Sequence, residues 1–400
     1  MALSVEDIKN LRNGMAPTHI GLVRDMTLGT DVWLDRFEAY YLDRFIPMGG
    51  SKVKVLIGSE GSGKTHLLRY LQGKAEQKNY TTLFLSARTV GAKLHDVPNL
   101  YRTIMTSIDI EQLVTGLACR VGTELGYKPS IYNGKDLLVP YITEEGYDTP
   151  DAAREVRIVS ANLLKQADLS PSFFTFAFAI LRDRLIQRDS QAVQTSTKWF
   201  MGDKLDVREK RESGLFEVLN KTTARRWLDS LLKLLVLSGQ NGLLLLIDDL
   251  DVLYEKSPET GRFLYSTANN KDVYELFRQI IDDADLLKNL MVILSGRRNL
   301  IEDEHRGFRS YEALWMRLQT GLVPFDAFNS LCDIVDVDKH LKALGAEFPI
   351  KLSNHLMYVF NQYDIKRKYR IDTTIDQPPV LKSAVINNVF TTNIEDGVES

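Results

Sequence analysis

Cysteine is almost missing from this chain: Cys119 and Cys332 are the only two. A disulfide framework is therefore excluded, and a reducing compartment fits best. Histidine is nearly as sparse. None of His19, His66, His95, His305, His340 and His355 stands at metal-ligand spacing from another or from a cysteine, so no zinc-type site is expected. Charge of neither sign is in excess. A net charge of -3 and a pI near 6.1 give no global pull toward nucleic acid or an anionic membrane, although a local basic groove stays open. No apolar run approaches the ~20 residues that span a bilayer. The opening residues, Met1 to Asp7, lack the basic-then-apolar pattern of a signal peptide. The expectation is a cytoplasmic protein with no membrane partner, and no internal repeat is visible.

What is present is an ordinary folded composition, 44% hydrophobic and 26% charged over 400 residues, enough for two or three domains. Its most informative stretch is Gly58-Ser59-Glu60-Gly61-Ser62-Gly63-Lys64-Thr65, a complete G-x-x-x-x-G-K-T phosphate-binding loop. Val53–Ile57 before it has the make-up of a buried strand, and His66–Leu71 after it that of a helix. Glycines let backbone N–H groups turn inward around phosphate oxygens, and a helix N-terminus adds partial positive charge. In that frame the loop from Gly58 through Thr65, with His66 beside it, holds the nucleotide. Lys64 reaches the β- and γ-phosphates, and the Thr65 hydroxyl sits on Mg²⁺.

Apolar residues at 33, 37, 40, 41 and 45 recur at helical spacing, predicting a helix from Asp31 to Phe45 that leads into the loop strand. Residues 1–29 have the character of an arm. Thr81–Ser86 is a second strand, Leu243–Ile247 a third, Leu290–Ser295 a fourth and Cys332–Val337 a fifth. Between the second and third, residues from about 100 to 238 show mostly helical periodicity. Asp148-Thr149-Pro150-Asp151 marks a helix start there, while 190–213 has the polarity of a solvated connection apart from Trp199-Phe200-Met201. Arg225-Arg226-Trp227 is expected to lie on a helix packing on the sheet. Strands alternating with helices imply a parallel α/β sheet. A helical pattern resumes after Asp338 as a lid over 339–390, and 391–400 is an acidic tail.

The third strand runs into Asp248-Asp249. An apolar strand ending in an acid is the second signature of a nucleotide site, with Asp248 holding Mg²⁺ opposite Thr65 and Asp249 directing the attacking water. Asp251 could also face the site. Aspartate is one methylene shorter than the glutamate usual in vigorous ATPases, which permits slow hydrolysis or a nucleotide-gated switch as well as a motor. Ser295, at the end of the fourth strand, is the candidate to hydrogen-bond the γ-phosphate or the water. Arg297 and Arg298 either reach phosphate or are solvated. On the predicted helix from Ser310 to Leu318, Arg317, then Arg309, is the candidate arginine finger, a device that raises rates about 10³–10⁵-fold where it operates. The basic run Lys366–Arg370 either contacts a nucleic-acid backbone, touches phosphate from a lid, or is a solvated helix end. Lys382 is a weaker lid candidate.

These pieces together resemble the AAA+-type branch of P-loop ATPases, and more closely the BREX-system ATP-binding protein BrxD family. The likeness rests on the Gly61–Thr65 loop behind its amphipathic helix, on Trp199–Gly202 with Arg208–Arg211, and on Arg225–Leu228 before Gly242–Asp251. The segment Ser310–Leu318 completes it. It spans roughly residues 30 to 320. The resemblance implies an AAA+-like parallel five-stranded sheet flanked by helices, carrying a long helical insertion and a small C-terminal helical lid, with ATP and Mg²⁺ as cofactors. It also implies work within a bacterial anti-phage complex, beside a DNA methyltransferase, a large ATPase and a phosphatase-like protein. Partners are then other defence-system proteins and other copies of the chain, with DNA contact left open. Three activities are consistent with the residues: a DNA-linked remodelling ATPase with its core over 30–338, a slow ATP-dependent assembly switch, and, disfavoured by size and by the Asp-Asp pair, a small-molecule kinase.

Overall fold

The computed structural model of the protein describes residues 3–88, 93–318, 328, 331–363 and 365. The five apolar runs form strands β1 Ser51–Ile57, β2 Thr81–Ser86, β3 Leu243–Asp248, β4 Leu290–Gly296 and β5 Ile334–Asp336. They make one sheet in the order β2-β3-β4-β1-β5, with every neighbouring pair parallel. The α/β sheet expected from the sequence is therefore present. β3 and β4 are buried along their whole length, as strands covered on both faces must be.

Pleating sends alternate side chains into two cores. Leu56, Leu244, Leu246, Met291 and Ile293 pack with Trp33, Phe37, Tyr41, Leu68 and Leu71 on one face. Val55, Leu243, Leu245, Ile247, Val292 and Leu294 join the helices between β2 and β3 on the other. The helix Lys64–Gln77 carries the chain from β1 past the places of β4 and β3 to the edge strand β2, whereas the chain leaving β4 crosses to β5 on the far side of β1. Connections thus diverge at the carboxyl ends of β1 and β4, the place where open α/β sheets bind ligands.

The helix leading into β1 departs from the simple expectation. A short 3-10 turn at Thr30–Val32 and an α-helical turn at Leu34–Phe37 precede a π-helix over Glu38–Phe45. Its wider turn still buries Tyr41 and Leu42, and Glu38 pairs with Lys74 at 3.1 Å on the phosphate-loop helix and with Lys78 at 2.9 Å at that helix's C-cap. Residues before Thr30 include the helices Val5–Arg12 and Ile20–Met26, whose Leu11, Leu22 and Met26 share a core with Phe348, Leu352, Leu356 and Val359 of the helix Phe348–Gln362.

Among the described residues, eight helices lie between β2 and β3, from Val97–Met105 to Ala224–Leu237. Asp148 caps Thr149–Gln166 by accepting from the Asp151 N–H, with Pro150 in the first turn. The stretch 190–213, expected to be a solvated connection, is instead the helices Ser190–Phe200 and Val207–Ser213. The first buries Thr195 and Ser196 beside Trp199 and Phe200, so its inner face carries too few aliphatic residues to show as a periodic pattern. The second begins at a capping box between Asp206 and Glu209. Trp199, Phe173, Phe176 and Trp227 pack ring against ring at the centre of these helices, with the two tryptophans 4.3 Å apart. Arg225 and Arg226 reach Asp283 and Glu217 while Trp227 points inward, as expected of a helix face on the core.

Among the described residues no helix is long and apolar enough to cross a membrane. The basic run Lys366–Arg370, Lys382 and the tail 391–400 lie outside the described residues.

Candidate nucleotide site

The loop after β1 has the geometry its sequence requires. Gly63 sits at φ +92° immediately before the helix Lys64–Gln77, a left-handed conformation that an L side chain would strain. A Cβ on Gly58 would lie 2.6 Å from Ser62 Oγ, so a side chain there would force Ser62 to shift within the loop. Lys64 Nζ donates to the carbonyls of Gly58 at 3.1 Å and Ser59 at 2.8 Å, folding back over the loop. Burial lowers the Lys64 pKa, opposed by Asp251, Asp248 and Asp338 and reinforced by Arg297.

Across the loop stands the end of β3. Thr65 Oγ1 donates to Asp248 Oδ2 at 2.6 Å, joining residues 183 positions apart. Burial raises the Asp248 pKa, as does the neighbouring Asp249; Thr65, Ser295 and the Asp249 N–H pull the other way. A hydroxyl and a carboxylate oxygen side by side form a hard-oxygen pair suited to Mg²⁺, and a cation there would offset the cost of the buried charge. Among the described residues no group of three or more His, Cys, Asp and Glu could hold a metal alone.

Asp249 adopts φ +59°, unusual for a non-glycine residue. Asp249 Oδ2 accepts from Ser86 Oγ at 2.6 Å, and Oδ1 lies 3.6 Å from Arg88 Nε. Ser295 is fully buried opposite Leu56. Its hydroxyl finds no partner of ordinary hydrogen-bonding geometry among the described residues, although it lies near enough to Asp248 to favour that carboxylate's ionised form. Ser62 Oγ, inside the loop, is likewise buried without a partner.

The two arginines after β4 have separate holders. The Arg297 N–H donates to Asp251 Oδ1 at 2.6 Å, and its guanidinium lies 3.1 Å from Glu60 on the loop. Arg298 forks onto Asp336 at 2.6 and 2.7 Å and onto Asp338 at 3.1 Å. Asp338 also accepts from the Ser59 N–H at 2.9 Å and the Ser59 hydroxyl at 2.8 Å, so the start of the loop is fastened to the chain just past β5. Neither arginine is simply solvated.

His66 does not turn toward the loop's interior. Its Nε2 meets Thr27 Oγ1 at 2.9 Å, and burial lowers its pKa to about 4, so it is a neutral link between the loop helix and the N-terminal helices. Arg317 lies on the helix Glu312–Leu318, donating to Asp282 Oδ2 at 2.8 Å and to the Ala313 carbonyl at 2.6 Å. Arg309 is exposed, 5.1 Å from the Trp315 ring.

The structure thus brings Lys64, Thr65, Asp248, Asp249 and Ser295 to one end of the sheet and leaves Arg317 in a pairing of its own. Sequence reasoning missed Ser86, Arg88, Asp336 and Asp338. Ser86 could have been found by the rule that singled out Ser295, a polar residue closing an apolar strand. Asp338, just past β5, carries no such mark, and Asp336 closes a strand of only three residues.

Neither a curated protein nor a solved structure matches the chain. The family model for the BREX system ATP-binding protein BrxC/D matches residues 4–378, nearly the whole length. With a five-stranded parallel sheet and a phosphate loop at its divergence point, the chain belongs to the family of BREX system ATP-binding proteins BrxC/D.

Proposed function

We propose that the protein is an AAA+-like P-loop ATPase of a phage-defence assembly, binding Mg-ATP at the carboxyl end of β1 and hydrolysing it slowly. The observation that carries this reading is the contact between Thr65 Oγ1 and Asp248 Oδ2, which supports one ion being shared by the loop threonine and the strand acid. Bound Mg²⁺ would supply charge neutralisation for the phosphates, held by Thr65 and Asp248. Lys64 would leave the Gly58 and Ser59 carbonyls for phosphate oxygens. Asp249 would orient or deprotonate water, and Ser295 would hydrogen-bond the γ-phosphate or that water. The helices after β5 would act as the lid. Either Arg317, once freed from Asp282, or Arg309 would serve a neighbouring subunit as finger. DNA-linked remodelling is the broader task proposed for the cycle.

A second reading is an assembly switch in which nucleotide state matters more than turnover. What favours it is Asp249, short for its role and engaged by Ser86 and Arg88. Phosphate release from Mg-ATP, measured per protomer across protein concentrations with and without duplex DNA, separates the readings. A rate rising with concentration supports sites completed between subunits, and stimulation by DNA supports remodelling. A flat, near-zero rate with tight ATP binding supports the switch. Lys64→Ala should weaken ATP binding about 10–100-fold, as loss of a charged hydrogen bond does. Unchanged binding and rate in that variant would sink both readings.

A further inference from the structure

Between the helical insertion and the sheet lies a cavity of about 190 Å³, on the face away from the phosphate-loop helix. Leu100 and Ile104 of the helix Val97–Met105, Leu228 of Ala224–Leu237 and Leu276 of Thr267–Asp282 wall it, while Leu245 of β3 and Leu290 of β4 close it from the sheet. Leu290 is the first residue of β4, so the cavity reaches that strand at the end remote from Ser295 and the nucleotide loop. Polar groups on its wall are few. Asp283, only 9% exposed, lines it from the C-cap of Thr267–Asp282. Arg225 donates to Asp283 Oδ1 from a half-exposed side chain, whereas Oδ2 is buried with no hydrogen-bond partner among the described residues. Buried carboxylate oxygens are nearly always bonded, because the water they give up has to be replaced. Lys221, exposed, adds a second cation to the lining.

We propose that this cavity binds a neutral one-ring aromatic molecule carrying an N–H or O–H donor, its ring among the leucines and its donor on Asp283 Oδ2. Size sets the ring. An apolar cavity of ~150 Å³ takes benzene, so one of about 190 Å³ holds a single substituted ring. Charge sets the head group. Arg225 already neutralises Asp283, so a cationic ligand would meet Arg225 and Lys221 with no anion left to pair. An anionic ligand would face the uncovered oxygen of Asp283. A neutral donor adds no charge, and its hydrogen bond to an ionised acceptor is of the stronger kind. The lining comes from the insertion and the sheet together, so the ligand binds only where the two are packed against each other, and its binding stabilises that packing. The site shares no residue with the nucleotide loop, and the proposal stands apart from ATP chemistry.

The test titrates phenol, aniline, toluene, benzylamine and benzoate into the nucleotide-free full chain by calorimetry, with melting temperatures measured alongside. Phenol and aniline should bind about tenfold or more tighter than toluene, the gain expected from one hydrogen bond to a charged group. They should also bind tighter than benzylamine and benzoate, and raise the melting temperature. Asp283→Asn keeps the size of the side chain and should remove most of phenol's advantage while leaving toluene's affinity unchanged. Leu228→Phe, which intrudes on the cavity, should weaken phenol and toluene alike. A cooperative melt shows that each variant is folded. Toluene as tight as phenol, either charged ligand tighter than both, an Asp283→Asn variant that keeps the whole advantage, or no binding of phenol would overturn the proposal. Should Asp283→Asn fail to melt cooperatively, Leu228→Phe decides: unchanged phenol binding in that variant would overturn the site.

Discussion

Ser86 Oγ donates a hydrogen bond to Asp249 Oδ2 at 2.6 Å, tying the end of β2 to the acid that follows β3. The bond has two effects on a group proposed to activate water. It occupies one of the carboxylate's two acceptor oxygens, which would otherwise be open to water, and it fixes the side chain's direction. Arg88 acts in the same sense from 3.6 Å. Ser86→Ala is expected to raise basal phosphate release severalfold with unchanged ATP affinity. Asp249→Asn should lower it about 10²-fold or more while binding persists. Steady-state rates with a parallel binding titration check both. A fall in the Ser86→Ala rate would mean that the serine aims Asp249 rather than restrains it.

Asp248 should show opposite effects on stability and function. Its pKa is raised mainly by burial, so the ionised form near neutral pH is a burden on the metal-free fold. The sign follows from proton linkage. With a native pKa above the unfolded one, the folded chain holds a proton that the unfolded chain has lost, and stability falls as pH rises through that window. Asp248→Asn removes the buried charge and keeps an oxygen to accept from Thr65. The variant is expected to melt at a higher temperature than wild type without Mg²⁺ and to lose the extra stabilisation that Mg-ATP gives wild type. Thermal melts with and without Mg-ATP test this. A lower melting temperature without Mg²⁺ would show that the carboxylate's hydrogen bonds outweigh its desolvation.

The elements that were legible in the sequence are those whose signal is local. Leu243–Asp248 is an apolar run closed by an acid, and the Gly58–Thr65 loop is a contiguous motif between a strand and a helix. Their chemistry could be assigned before their neighbours were known. The pairings that shape the loop are of another kind. Asp338 meets Ser59 across 279 positions, and Arg298 reaches Asp336 across 38. Ion pairs of this sort leave no periodicity, and one carboxylate after a strand looks like any other until the sheet order puts β5 beside β1. Arg317 shows the same gap, since its partner Asp282 is 35 residues earlier on another helix. The π-helical turns of Glu38–Phe45 were invisible because the buried Phe37, Tyr41 and Leu42 also fit an α-helical stripe.

Trp227 lies at the junction of the helical insertion with the sheet's core. It is fully buried, 4.3 Å from Trp199, and 5.5 Å from both Tyr101 and Phe173. The same cluster includes Leu245 and Leu290 of the sheet, so the insertion and the sheet should unfold together. Trp227→Ala is expected to cost about 3–5 kcal/mol through lost burial and the cavity left behind. Urea unfolding followed by circular dichroism should show one transition at a lower midpoint. Two separated transitions in the variant would mean that the insertion is an independent unit.

Acid should destabilise the fold through His340 before it titrates most carboxylates. The ring is 3% exposed, lies between Trp33 at 5.8 Å and Phe328 at 5.2 Å, and finds no hydrogen bond on either nitrogen among the described residues. Burial lowers its pKa from 6.5 to about 4, with Asp31 opposing weakly. Between those values the unfolded chain carries a proton that the folded chain excludes. The stability associated with the neutral ring is therefore fully present above about pH 6.5 and is lost as pH falls toward 4. At about 1.4 kcal/mol per pH unit, this one ring accounts for on the order of 3 kcal/mol across the window. His340→Leu keeps an apolar side chain of similar bulk and has nothing to protonate. Its unfolding free energy should vary less steeply between pH 6.5 and 4 than that of wild type, retaining the slope contributed by His66, which burial also lowers to about 4. Urea titrations at several pH values measure the two slopes. Identical slopes would mean that His340 gains a proton and a partner in the folded state at acid pH, and that its pocket opens to admit water.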